Sequence, residues 1–154
     1  MIDLLISAKG DSPITLEALF PTSPERLFRA WTAEDELQAW FGRDPSLTDF
    51  VKIDLRVGGA WKIALTGGTD HLEGIYVQIV PNERLRFTWA HVQTSGSSQV
   101  RTPPSEVTLD FAAVGQATRL TLTHKDISTE GGRIGVRDGW QNSFHALAQL
   151  VSGN

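Results

Sequence analysis

The sequence predicts an α+β fold, an antiparallel sheet with one face in water and the other covered by a C-terminal helix. Two patterns carry the prediction. Outside two short helical segments, apolar residues recur with period two as far as about residue 125, the alternation of half-buried strands. Strands buried on both faces, as in a parallel sheet, would read as continuous apolar runs. Towards the C-terminus the period changes. Trp140, Phe144, Leu147 and Val151 are spaced four, three and four apart, which is one face of a helix laid on the sheet.

The elements follow in order. "ITLEALF" sets Ile14, Leu16, Ala18 and Phe20 on one face and is the first strand. "TSPERLFRAW" then carries helix-start signals: Ser23 as N-cap, Pro24 at the first helical position and Glu25 in the first turn. Leu27, Phe28 and Trp31 share its apolar face. Thr32 is placed to cap a second short helix, with Asp35 three residues on. Leu37, Trp40 and Phe41 form the apolar face of that helix, and Gly42 is a suitable terminator.

In "VKIDLRVGGAWKIAL", Val51, Ile53 and Leu55 oppose Lys52, Asp54 and Arg56, and Gly58-Gly59 suits a tight turn before Trp61, Ile63 and Leu65. Tyr76 then breaks the polar face of its strand; with Arg56 it marks either an imperfect parity or a dimer surface. After a turn at "NERL", following Pro81, Leu85, Phe87, Trp89 and His91 alternate with Arg86, Thr88 and Ala90. Residues 93–105, "QTSGSSQVRTPPS", read as a long, weakly ordered hairpin loop. Val107, Leu109 and Phe111, then Leu120, Leu122 and His124, complete the alternation. Four glycines in "STEGGRIGVRDG" predict that the C-terminal helix starts late or is loosely held.

Composition narrows the function classes. A chain of 154 residues fits a single domain spanning 1–154. A formal charge of −4 without any basic run argues against nucleic acid as a partner. The absence of cysteine removes disulfides, thiol nucleophiles and thiolate metal sites together, and suits a reducing cytoplasm. No apolar run approaches a membrane span, and the acidic start "MIDLLISAKGDS" does not read as a signal peptide. A cytoplasmic protein, monomer or homodimer, is the expectation.

Four blocks, "FPTSPERLFRAWTAEDELQAWFG", "IDLRVGGAWKIAL", "GIYVQIVPNERLRFTW" and "TRLTLTH…GW", occur in the order found in homologues of the activator of heat-shock protein 90 ATPase. The chain thereby resembles that family, within the START-like (SRPBCC) superfamily, from about residue 14 to 152. The resemblance implies a helix-grip fold, in which a curved antiparallel sheet wraps a long C-terminal helix behind two small helices. It implies an apolar cavity between sheet and helix, and no shared catalytic set.

Five tryptophans, at 31, 40, 61, 89 and 140, stand beside these elements. Trp61, Trp89, Trp140 and Phe144 lie on the parities that face the interior; Trp31, Trp40 and Phe41 supply a wall or a mouth. As plain core they only pack; as a cavity wall they enclose a small apolar or amphipathic ligand in on the order of 300 Å³ or more. His91 and His124 end two strands on the inward parity. Each is a hydrogen-bonded structural residue, an orienting group for ligand, or an acid–base group. Ligand binding is the leading expectation, with Trp31, Trp40, Phe41, Trp61, Trp89, His91, His124, Trp140 and Phe144 as the site. A cyclase- or dehydratase-type enzyme using one histidine, and a chaperone accessory module acting by surface contacts, are the alternatives. No zinc-ligand spacing, nucleophile elbow or phosphate loop occurs, so neither metal nor cofactor is expected.

Overall fold

A computed structural model describes residues 4–7, 13–41, 48–65 and 69–152. The terminator Gly42 and most of the N-terminal stretch, residues 1–3 and 8–12, lie outside the described residues. In chain order come β1 (Leu4–Ser7), β2 (Ile14–Phe20), α1 (Pro24–Thr32), α2 (Glu34–Trp40), β3 (Thr48–Ile53), β4 (Ala60–Leu65) and β5 (Asp70–Val80). Then follow β6 (Arg84–Ser95), β7 (Ser98–Arg101), β8 (Ser105–Val114), β9 (Ala117–Lys125) and α3 (Glu130–Ser152). The strands form one curved antiparallel sheet, ordered β1-β2-β9-β8-β6-β5-β4-β3, with β7 paired to β6 off this path. The meander from β3 to β9 is closed by β2 returning beside β9, and the helices cover one face. This is the helix-grip architecture. No helix among the described residues is long and apolar enough to cross a membrane.

The core sits between the helices and the inner face of the sheet, where α3 packs on β2 and α1 on β8 and β9. Ile14, Leu16, Leu109, Leu120, Leu122 and Leu147 are 0% exposed, and Phe20 meets Phe144 edge to face at 5.6 Å. Each such side chain contributes about 1.5–3 kcal/mol by leaving water. Helix α1 starts as its sequence directs, with the Ser23 hydroxyl accepting from the Arg26 N–H and Pro24 in the first turn. Its buried face is Leu27, Phe28, Ala30 and Trp31.

Several sequence expectations need correction. Leu4–Ser7 adds an edge strand beside Ile14–Phe20 that the sequence pattern did not disclose. Thr32 is the last residue of α1 and donates its hydroxyl to the Phe28 carbonyl, leaving Ala33 as an N-cap of α2 without a side-chain bond. Leu55 falls in the turn after β3 and is 43% exposed. There Gly58, at φ +87, makes the reversal.

Residues 93–105 form no open loop. Strand β6 runs on to Ser95, turns at Gly96 (φ +63) and pairs with β7 from Ser95↔Ser98 to Val92↔Arg101, because the Gly-Ser pair supplies a tight reversal between residues that tolerate extension. Tyr76 is buried, which makes it an inner-face residue. A bulge between Tyr76 and Gln78 inserts one residue into β5, so even-numbered positions point inward before it and Ile79 after it. Helix α3 begins at Glu130 and includes all four glycines, since packing of its later turns and the Thr129 hydroxyl, which accepts from the Gly132 N–H, hold its start.

Candidate functional site

Packing of α1, α2 and α3 on the sheet brings five aromatic residues together. Trp31 comes from α1, Phe41 from the end of α2, Trp61 from β4, Trp89 from β6 and Trp140 from α3. The rings meet at angles rather than in stacks: Trp31 and Trp140 at 5.7 Å, Trp61 and Trp89 at 5.6 Å, Trp89 and Trp140 at 5.1 Å, Phe41 and Trp140 at 5.9 Å. Angled rings interlock closely. They fill most of the interior, and the void left between them, bordered also by Tyr76, Leu85 and Phe87, is about 20 Å³. The expected central cavity of some 300 Å³ is therefore reduced to room for roughly one water molecule.

The open volume lies beside this wall. A groove of about 220 Å³ runs between the first half of α3 and the sheet, lined by Phe41, Leu72, Trp89, Val136, Trp140 and the small residues Gly135, Gly139 and Ser143. Gly135 and Gly139 leave their part of its wall without side chains. A side-chain Cβ built at Gly135 or Gly139 would meet nothing within 4 Å. A second cleft, about 180 Å³, adjoins at Trp89 and Val136 and reaches His91, Thr102, Ser105 and Thr129. Trp89 is common to the void, the groove and the cleft.

The two histidines occupy different settings. His124 is 1% exposed, and both ring nitrogens are engaged. The Trp140 Nε1–H donates to Nδ1 at 3.1 Å, and Nε2 lies 2.7 Å from the Ser105 hydroxyl. Because Nδ1 accepts, a neutral ring must carry its proton on Nε2. It then donates to Ser105 Oγ, whose own proton reaches the Trp89 carbonyl at 3.2 Å. Burial pushes the imidazole pKa down to about 3, so the chain of bonds stands with a neutral ring. His91 is half-exposed on the rim of the second cleft, with Nε2 3.1 Å from Asp70 Oδ2 on the facing strand. Its backbone N–H is held by the Thr102 hydroxyl.

Of the sequence-marked residues, Trp31, Phe41, Trp61, Trp89 and Trp140 border the void or groove, and His91 borders the cleft. Trp40 and Phe144 are 0% exposed and border none of these three spaces; Trp40 ties α2 to α1 by donating to the Ala30 carbonyl at 2.8 Å. His124 stands behind Trp89, at 5.5 Å, and borders none of them either. Sequence reasoning missed Tyr76, Leu72, Val136, Asp70 and the groove-lining glycines. The last had a signal: Gly135, Gly139 and Ser143 are spaced by four, a small-residue stripe next to the apolar face of α3. Among the described residues, no cluster of three or more His, Asp or Glu side chains could hold a metal ion.

The profile of the family described as Activator of Hsp90 ATPase homolog 1-like protein matches residues 21–152. The chain belongs to that family. Solved structures similar to this member include a protein from Chromobacterium violaceum, 27% identical, with a TM-score of 0.73 over 91% of this chain and 96% of that one. A protein from Rhizobium leguminosarum, 21% identical, gives 0.76 over 100% and 99%. DynU16, a protein in the dynemicin biosynthetic locus, is 18% identical and gives 0.73 over 93% of this chain and 48% of its own. Comparison with the curated proteins finds no match. These solved structures share the sheet-and-helix frame with this member of the Activator of Hsp90 ATPase homolog 1-like family.

Proposed function

We propose that this protein binds a small apolar or amphipathic molecule in the groove between α3 and strands β5 and β6, with Trp89 at its base. One observation carries the reading: an apolar groove of about 220 Å³ lies beside α3 with Gly135 and Gly139 in its wall, and a Cβ added at either would meet nothing within 4 Å. Glycine inside a helix costs about 1 kcal/mol relative to alanine. Two glycines beside the apolar face of α3 carry that cost and leave this part of the groove wall without side chains.

The test is Gly139→Leu, read with the neutral fluorescent probe N-phenyl-1-naphthylamine. The variant is expected to melt at or above the wild-type temperature, because the helix gains propensity, while probe affinity falls about tenfold or more. Undiminished probe binding in a folded variant would refute the groove as the site.

A second reading, acid–base chemistry, is favoured by the Asp70–His91 pair. A carboxylate on Nε2 fixes the ring and leaves Nδ1 as the other proton-exchanging atom, on the rim of the adjoining cleft. Native mass spectrometry separates the two readings. If His91 drives a reaction, His91→Gln purified from cells retains a small molecule of different mass from that in the wild type; if the protein only binds, the two retain the same species.

A further inference from the structure

The second cleft, about 180 Å³, divides its lining by chemistry. Trp89, Ile127 and Val136 supply apolar surface; His91, Thr102 and Ser105 supply polar atoms. The Asp70 carboxylate, 3.1 Å from His91 Nε2, can only accept, so the proton of that bond sits on Nε2. In the neutral ring Nδ1 then carries a lone pair and no proton. Nδ1 meets no partner among the described residues, and it is not one of the side-chain atoms shut off from solvent. An accessible, unpaired acceptor thus stands on a side chain that borders the cleft and is 40% exposed.

Thr102 is fastened beside it. Its hydroxyl accepts from the His91 backbone N–H at 2.9 Å, and its own N–H donates to the His91 carbonyl at 2.9 Å. The proton of that hydroxyl meets no acceptor among the described residues. Ser105 has none to offer, because its hydroxyl proton goes to the Trp89 carbonyl. The cleft therefore holds an open acceptor on His91 and an open donor on Thr102, two residues bonded to one another. A hydroxyl group answers both; an ether or a ketone has no proton for Nδ1. No Lys or Arg borders the cleft, and the Asp70 carboxylate stands next to His91, so an anion would lose hydration without gaining a counter-charge. On the apolar side, the half-buried Trp89 ring favours an aromatic neighbour.

We propose that the second cleft is a binding site for a neutral hydroxylated aromatic molecule, whose O–H donates to His91 Nδ1 and accepts from the Thr102 hydroxyl while its ring lies against Trp89, Ile127 and Val136. Asp70 acts as a positioning residue, fixing the tautomer that leaves Nδ1 free to accept. The site is separate from the groove and does not depend on groove binding. It uses the same Asp70–His91 pair as the acid–base reading but asks no reaction of it. Water is the competing occupant, and would give no preference between ligands.

The test uses three probes of one shape: 2-naphthol, 2-methoxynaphthalene and 2-naphthoate. Affinity is read by calorimetric titration at about pH 8, where an ordinary histidine is neutral. The state of Nδ1 is read from nitrogen resonances of histidine-labelled protein, assigned with His91→Phe. Naphthol is expected to bind about three- to tenfold tighter than its methyl ether, to move the His91 Nδ1 resonance, and to outbind the carboxylate. In His91→Phe the preference for naphthol over the ether should vanish while the ether still binds, and in Asp70→Asn it should lessen. Should His91→Phe not fold, the wild-type Nδ1 resonance decides. In Gly139→Leu, which alters the groove lining and not that of the cleft, the preference should persist. Its loss there, with His91→Phe unaffected, would place the hydroxyl in the groove and overturn this inference. Equal binding of naphthol and ether with an unmoved Nδ1 resonance would also overturn it. Tighter binding of the carboxylate would overturn the neutral class. Binding of none of the three would remove the cleft as a site, while N-phenyl-1-naphthylamine decides the groove separately.

Discussion

His124 has no free nitrogen. Its ring lies between the Trp140 indole N–H and the Ser105 hydroxyl, and the bond that Nδ1 accepts from Trp140 needs the neutral form. Burial in the folded chain holds its pKa near 3, whereas an unfolded histidine titrates near 6.5. Between those values the unfolded chain binds a proton that the folded chain refuses. Stability is full above about pH 6.5 and is lost as pH falls towards 3, with a limiting slope of about 1.4 kcal/mol per pH unit. Urea unfolding of His124→Gln should show that slope reduced between pH 5 and 6.5, where most carboxylates stay ionised. At pH 7 the variant should be less stable by about 1–3 kcal/mol. An unchanged slope would mean that the folded ring accepts a proton. Alternation alone placed His124 inward beside Leu120 and Leu122. It could not name Trp140 or Ser105, which the chain brings from a helix and another strand.

Strand β5 shows how an element departs from its own pattern. Glycine at position 74 faces Trp61, whose indole spans it to donate to the Thr88 carbonyl at 3.1 Å. A Cβ at Gly74 would stand 1.8 Å from that carbonyl oxygen and 2.5 Å from the indole nitrogen. Gly74→Ala should therefore destabilise by about 2–4 kcal/mol, displacing Trp61 and losing its hydrogen bond. Chemical denaturation with tryptophan fluorescence measures both, and a loss below about 0.5 kcal/mol would show that the strand shifts freely. The bulge two residues on explains Tyr76. Its break in the alternation was visible in the sequence, but only pairing with β6 shows that one extra residue, not a second binding face, causes it. The glycines of α3 were legible as poor helix formers. That two of them, Gly135 and Gly139, border the groove depends on how the later turns, through Trp140, Phe144, Leu147 and Val151, seat the helix on the sheet.

Across the whole molecule, packing is uneven. At one end Phe144, Leu147 and Val151 of α3 are nearly inaccessible, with Phe144 against Phe20 of β2. At the other it spans the groove on glycines, and β7 is exposed along its length. Amide hydrogen exchange should follow this gradient: slowest in β9 and the last three turns of α3, faster by about a hundredfold or more in residues 131–139 and 98–101. Uniform protection along α3 would contradict it. The α+β class, the antiparallel meander, the helical cover and the inward aromatic residues were all readable from the chain, because period and turn chemistry are local and burial of one face imposes them. Whether those aromatic residues enclose a chamber depended on ring angles and distances among five different elements. Contacts between residues far apart in sequence closed the centre to about 20 Å³, moved the open space to the glycine-lined end of α3 and left the Trp31 N–H without an acceptor. Alternation states which way a side chain points; how much space remains beyond it is set by the neighbours that tertiary packing brings there.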